Sequence, residues 1–159
     1  ARAKLGKNLI DREVELPAGA IRVAPIETSV EGTIAFPDGD WGGEPVQGLV
    51  MRFSRGRLTT FTAKSGKSGV DKELAGAGAA GRSFREFVLG FNPMLAIPTN
   101  GEKWIPYYGY GAGVVRLSLG DNSELGGMVR GEYLRWNFFV DATVTVGGVE
   151  WVSKGVLTH

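Results

Sequence analysis

Residues 46–64, VQGLVMRFSRGRLTTFTAK, alternate apolar and polar side chains on both sides of Arg55-Gly56. Period-two alternation interrupted by a Gly-containing dipeptide is the pattern of a β-hairpin, because a two-residue turn needs positive φ and glycine adopts it without steric cost. The pattern predicts strands over 46–54 and 57–64. Outward from this hairpin, β-branched and aromatic residues recur between breaks of Gly, Pro, Asn or Asp. They predict strands over 12–16, 21–25, 30–36, 84–89, 113–119, 134–146 and 149–156, with a second tight turn at Gly147-Gly148.

One helix is expected, over 68–80. Ser68 with Asp71 three residues on has the form of a capping box, while Gly76 and Gly78 each weaken the second half by about 1 kcal/mol relative to Ala. Segments 36–45 and 91–110 carry Pro, Gly and aromatic residues without a period and read as ordered loops. The expected fold is therefore α+β and β-dominated: a single domain over 1–159, with a mixed or antiparallel sheet and about one helix across a sheet face. The 25 glycines in 159 residues are roughly twice the usual ~7% share, which implies many tight turns and close backbone approaches.

Net charge is +1, with dispersed basic residues, so there is no electrostatic footprint for nucleic acid or an anionic membrane. No apolar stretch approaches the ~20 residues that span a bilayer, so no membrane insertion is expected. No apolar signal core follows Arg2, Lys4 and Lys7, and a cytoplasmic location is the expectation. The absence of Cys excludes disulfides and thiolate chemistry. The single His is the last residue, His159, which leaves no base for a serine triad.

Further residues carry a resemblance. Pro17-Ala18-Gly19-Ala20-Ile21, then Ala24-Pro25 and Ser29-Val30-Glu31-Gly32, are followed in order by Val46-Gln47-Gly48, Phe53-Ser54-Arg55-Gly56-Arg57, Phe84 to Pro93, Val115-Arg116-Leu117-Ser118-Leu119-Gly120, and Arg135-Trp136-Asn137 with Val140-Asp141. This succession resembles the C-terminal, metal-binding domain of the aminopeptidase T family of metallo-aminopeptidases, a thermophilic metalloprotease-like domain. The resemblance runs roughly from Leu16 to Val156. It implies a β-rich domain with a two-metal site, normally preceded by an N-terminal α/β domain.

The departures from that family fall on its ligand positions. Its Glu after "P-x-G" is Ala20 here, its strand His is Arg116, and its His-x-Asp pair is Arg135 and Asn137. Glu86 alone stands where a ligand carboxylate is implied. A catalytic zinc site needs about three N, S or carboxylate ligands and an open position, whereas a guanidinium stays protonated and offers no lone pair. The expectation is a degenerate metal site with no cofactor and a non-catalytic structural, assembly or ligand-binding role. In that picture Arg116 and Arg135 flank Glu86 in place of the metal charge. The alternative is a zinc or cobalt leucyl-type aminopeptidase, with Glu86 catalytic and its missing ligands supplied by another domain or subunit.

Other candidates are weaker. Asp38-Gly39-Asp40 and Asp121-Asn122-Ser123-Glu124 are oxygen-rich turns without EF-hand spacing, and the glycines from Gly109 to Gly113 lack a following "GK[ST]". Glu86 with Asp141 is conceivable as a carboxylate acid–base pair. Trp104, Tyr107, Tyr108 and Tyr110 either seal the core or line an interface or pocket. Homo-oligomerisation or a protein partner is expected through sheet edges and this aromatic loop.

Overall fold

The structure is a computed structural model that describes residues 18–100 and 102–158. It begins with β1 (Ala20–Val23), β2 (Gly32–Ala35), the hairpin β3 (Gly39–Trp41) and β4 (Glu44–Val46), and the hairpin β5 (Val50–Ser54) and β6 (Arg57–Thr62). Helix α1 (Lys67–Gly81) leads to β7 (Phe84–Gly90), β8 (Val115–Gly120) and β9 (Leu134–Phe139). The chain then forms β10 (Val144–Val146), β11 (Val149–Ser153) and β12 (Val156–Leu157). The expected strand at 12–16, the basic residues Arg2, Lys4 and Lys7, and His159 lie outside the described residues.

The fold is β-dominated with one α-helix among the described residues, and every ladder between named strands is antiparallel. Arg55 and Gly56 both take positive φ, as do Gly147 and Gly148, so the two predicted turns form as the pattern requires. Four segments differ from expectation, one of them 149–156, which reverses at Lys154-Gly155, both with positive φ, into the antiparallel pair β11 and β12. Segment 36–45 is a hairpin rather than a loop, reversed at Gly42-Gly43 with both φ positive. Segment 46–54 divides at Gly48, whose N–H donates to Asp38 Oδ1, and segment 134–146 divides after Phe139.

The capping box does not form either. Gly66 in the left-handed region precedes the helix. Ser68 Oγ instead donates to Glu44 Oε2 at 2.6 Å, and Asp71 pairs with Lys67 at 2.8 Å.

The central sheet has the order β1-β7-β8-β9. Because residues paired directly across a ladder share a face, its register sorts the side chains into two sets. One face carries Leu89, Val115, Leu117, Leu119 and Phe139. It packs on a core built from Trp41, Val46, Leu49, Met51, Phe53, Val70 and Leu74 of the β3–β4 and β2-β5-β6 layers and α1. At the other end of the same face Leu89 and Val115 meet Val152 of the β10-β11-β12 sheet. The opposite face carries Arg22, Glu86, Val88, Arg116, Ser118, Trp136 and Phe138.

A β-bulge makes this division possible. Phe84 pairs with Leu119 and Glu86 with Ser118, so two steps on β7 match one step on β8 and Arg85 is the extra residue. Without the bulge Phe84 and Glu86 would point the same way. With it, Phe84 enters the core against Phe53 while Glu86 turns to the polar face.

Candidate functional site

Glu86 lies at the middle of the polar face with no solvent exposure. Arg22 Nε donates to its Oε2 at 2.6 Å. Arg116 Nη2 and Ser118 Oγ donate to its Oε1 at 2.8 and 3.1 Å. Arg85 Nε stands 3.5 Å from the same Oε1. Glu124 closes the outer side, accepting from Arg22 Nη2 at 2.7 Å and from Arg85 Nη2.

Arg85 and Arg116 are 3% and 1% exposed. Among the described residues, three guanidinium groups therefore surround two carboxylates, and two of the three are buried.

The electrostatics follow from this crowding. Burial pushes the Glu86 carboxyl up, but the hydrogen bond from Arg22 and the charges of Arg116, Arg22 and Arg85 outweigh it and hold the group below its ordinary value. Arg116 is pushed down by burial and by its like-charged neighbours Arg22 and Arg85, against the opposing pull of Glu86.

Arg116 is also held from the loop side. Its Nη1 donates to the Tyr108 carbonyl at 2.8 Å and its Cζ lies 4.4 Å from the centre of the Trp136 ring. Tyr107 and Tyr108 both have positive φ, 40° and 61°. Backbone held in that region costs about 1–3 kcal/mol per non-Gly residue and persists only where surrounding contacts enforce it. Here the enforcing contacts are the Arg116 hydrogen bond and the packing of the Tyr108 ring on Trp136 and Tyr110, at 5.2 and 5.9 Å between ring centres.

Of the positions implied by the resemblance, the sheet brings Glu86 and Arg116 together and separates the others. Ala20 lies opposite Gly90, four residues along β7 from Glu86, and adds no polar side-chain group. Arg135 and Asn137 pair with Leu119 and Leu117 and therefore occupy the core-side face.

There Arg135 stacks on Trp41, with Cζ 3.5 Å from the ring centre, and donates to both oxygens of Glu73 at 2.9 and 3.1 Å. Glu73 also accepts from Tyr133 Oη at 2.6 Å. Burial, together with that hydrogen bond, pushes the Tyr133 phenol far above its ordinary value. Arg135 thus serves a second ion network on α1 and does not flank Glu86. Asn137 accepts from Arg135 Nε at 3.3 Å and donates to the Leu117 carbonyl.

The aromatic loop splits as well. Tyr110 is buried, Trp104 packs edge-on against Phe138, and Tyr107 and Tyr108 are exposed. Asp38, Asp40 and Asp121 each accept from nearby backbone N–H groups and hold their own turns. Asp141 is exposed beyond the end of β9.

Sequence reasoning missed Arg22, Arg85 and Ser118, and read Glu124 only as part of an oxygen-rich turn, whereas it pairs with Arg22 and Arg85. The available signal was charge placed inside otherwise apolar strands, in Phe84-Arg85-Glu86-Phe87-Val88-Leu89 and Val114-Val115-Arg116-Leu117. Burying such a charge is tolerated only when it is paired.

Among the described residues no three His, Cys, Asp or Glu side chains converge in a metal-holding group. Arginine donors also do not fit a divalent cation, since they bring positive charge and no lone pair.

No protein-family profile and no curated protein sequence matches the chain. Among solved structures it is similar to 2,5-dihydroxypyridine dioxygenase from Pseudomonas putida KT2440, with a TM-score of 0.68 and 16% identity over 89% of this chain and 44% of that one. It is also similar to wild-type AmpT, an aminopeptidase T, from Thermus thermophilus, with a TM-score of 0.51 and 20% identity over 78% of this chain and 33% of that one. The chain spans less than half the length of either. At these identities the likeness is one of fold, a distant structural relationship that includes an aminopeptidase T.

Proposed function

We propose that this chain is a relative of the aminopeptidase T C-terminal domain that has exchanged its metal site for an arginine–carboxylate cluster, and that it works as a non-catalytic structural, assembly or ligand-binding module. The observation that carries this reading is the engagement of both Glu86 oxygens by Arg22, Arg116 and Ser118. A carboxylate so engaged has little capacity left for a cation, and two buried guanidinium groups beside it repel one. Shared fold does not choose the reaction, since similar architecture occurs in a dioxygenase and in an aminopeptidase T. The assembly role draws on the outer edge strand β1, with Ile21 and Val23 exposed, and on Tyr107 and Tyr108.

The test is metal analysis of protein purified without chelator, together with release of a leucyl chromogenic amide in the presence of zinc or cobalt. The expected result is no stoichiometric metal, no turnover and a thermal midpoint unmoved by chelator. Stoichiometric metal with turnover would instead establish the reading in which ligands arrive from another domain or subunit.

A further inference from the structure

Strand β9 is one margin of the central sheet, whose order is β1-β7-β8-β9. Its residues Leu134 to Phe139 pair with β8 one for one, with no shift of register. In an antiparallel ladder alternate residues turn their N–H and C=O groups away from the neighbouring strand. Half of the β9 backbone groups therefore face outward. Among the described residues no backbone hydrogen bond outside the β8 ladder reaches Leu134 to Phe139.

A long, regular, apolar edge is a template for another strand, and native chains blunt such edges with charge, Pro, a bulge or a cover. The other margins of this fold are short or blunted. Strand β6 carries a bulge at Thr59, and its first residues are bonded by Arg82 and Ser83. Strands β1 and β2 have four residues, β10 three and β12 two. Strand β9 reads Leu-Arg-Trp-Asn-Phe-Phe, without Pro or bulge, and its one charge, Arg135, is turned onto Trp41 and Glu73.

The strand's own pattern selects a second copy as the occupant. About a two-fold axis perpendicular to the sheet each face continues into the same face, so only residues of equal parity stand opposite each other. An axis at Arg135 would oppose two arginines, which is destabilising. An axis at Asn137 sets Trp136 opposite Phe138 of the second copy and Arg135 opposite its Phe139. It also brings the exposed Asp141 diagonal to Arg135 of the second copy, a charge match that an axis at Trp136 does not give. With a net charge of +1, the two chains repel each other little at long range.

We propose that two copies of this chain pair antiparallel through β9, about a two-fold axis at Asn137, and join their four-stranded sheets into one. The pairing deepens the assembly part of the proposed function and rests on it.

Sedimentation equilibrium of the full chain from about 1 to 100 µM should show a monomer–dimer equilibrium with Kd of about 10 µM or below. Amides of β9 should exchange more slowly at the upper concentration than at the lower. In this register Leu134 stands opposite Val140 of the second copy, and the two are 46% and 41% exposed. Leu134→Lys with Val140→Lys in one chain should weaken dimerisation about tenfold or more, with the far-UV spectrum of the parent, because each contact then opposes two lysines. Leu134→Glu with Val140→Glu should act alike. Mixed one to one, the lysine and glutamate chains should recover the dimer.

A chain that stays monomeric at about 100 µM overturns the pairing. So does a dimer whose affinity both variants leave unchanged, which places the contact on another surface such as β1. Exchange in β9 that ignores concentration, or a mixture that recovers no dimer, overturns it as well. Stoichiometric metal with turnover would show failure of the non-catalytic reading whatever the oligomeric state, whereas a metal-free monomer removes this inference alone.

Discussion

Arg116 on β8 donates to Glu86 on β7 across 2.8 Å with both side chains buried. The register places Arg116 opposite Val88 and Glu86 opposite Ser118, so the pair is diagonal across the ladder. A long guanidinium spans that diagonal, which is within the reach of extended side chains.

Removing one partner of this pair strands the other. Glu86→Ala is expected to lower the free energy of unfolding by about 3–5 kcal/mol, measured in urea, because Arg116 then remains buried and uncompensated. Glu86→Leu combined with Arg116→Met should recover most of that loss, as apolar replacements of both members of a buried pair commonly do. A Glu86→Ala variant as stable as the parent would remove the ion-pair account.

Acid should weaken the fold through the same carboxylate. The Glu86 group is held below its ordinary value of 4.5 in the folded protein, so the unfolded chain binds the proton first as pH falls. Its contribution is fully present above the ordinary value and is lost as pH drops through and below it. Glu27, lowered chiefly by the Met128 N–H, and Asp121, lowered to about 2 chiefly by Ser123, act in the same direction. Unfolding followed from pH 6 to pH 3 should therefore show a shallower acid loss in Glu86→Gln than in the parent, with a remaining slope from the other two. Identical slopes would mean that the buried cluster does not set the acid limit.

The two ion networks should behave independently. Arg135 and Glu86 occupy opposite faces of the central sheet and, among the described residues, share no hydrogen-bond partner. Arg135→Ala removes the Glu73 pair and the stacking on Trp41, and should cost about 2 kcal/mol. Combined with Glu86→Ala, the losses should add to within about 0.5 kcal/mol. A larger coupling energy from the double-mutant cycle would contradict the separation of the faces.

Two helix glycines should respond in opposite directions. A Cβ on Gly76 meets nothing within 4 Å, so Gly76→Ala is expected to stabilise by about 0.5–1 kcal/mol through helix propensity. A Cβ on Gly69 would collide with the Trp41 carbonyl oxygen and lie 2.9 Å from Glu44 Cβ. Gly69→Ala should therefore raise helix propensity yet lower the thermal midpoint, because the helix must move off the β3–β4 hairpin.

Local pattern made much of the architecture legible. Alternation around Arg55-Gly56 fixes a hairpin because side-chain period and turn stereochemistry are properties of neighbouring residues. The same holds for Gly147-Gly148 and for the helix beginning near Gly66. The hairpin at Gly42-Gly43 was hidden because its three-residue strands are too short to display a period. The family resemblance singled out Glu86 and Arg116, but adjacency in sequence did not reveal that Arg85 is a bulge residue or that Arg22 and Glu124 complete the cluster.

The sequence by itself therefore determined strands, turns, one helix and the presence of arginines inside the sheet, all of which depend on residues a few positions apart. Which carboxylate each arginine meets was decided by tertiary structure. Register pairs Arg116 with Phe138 and Leu119 with Arg135, and a strand shifted by one residue would exchange their faces. That phase is set by packing of Phe84, Leu119 and Phe139 against layers distant in sequence, which no local spacing encodes.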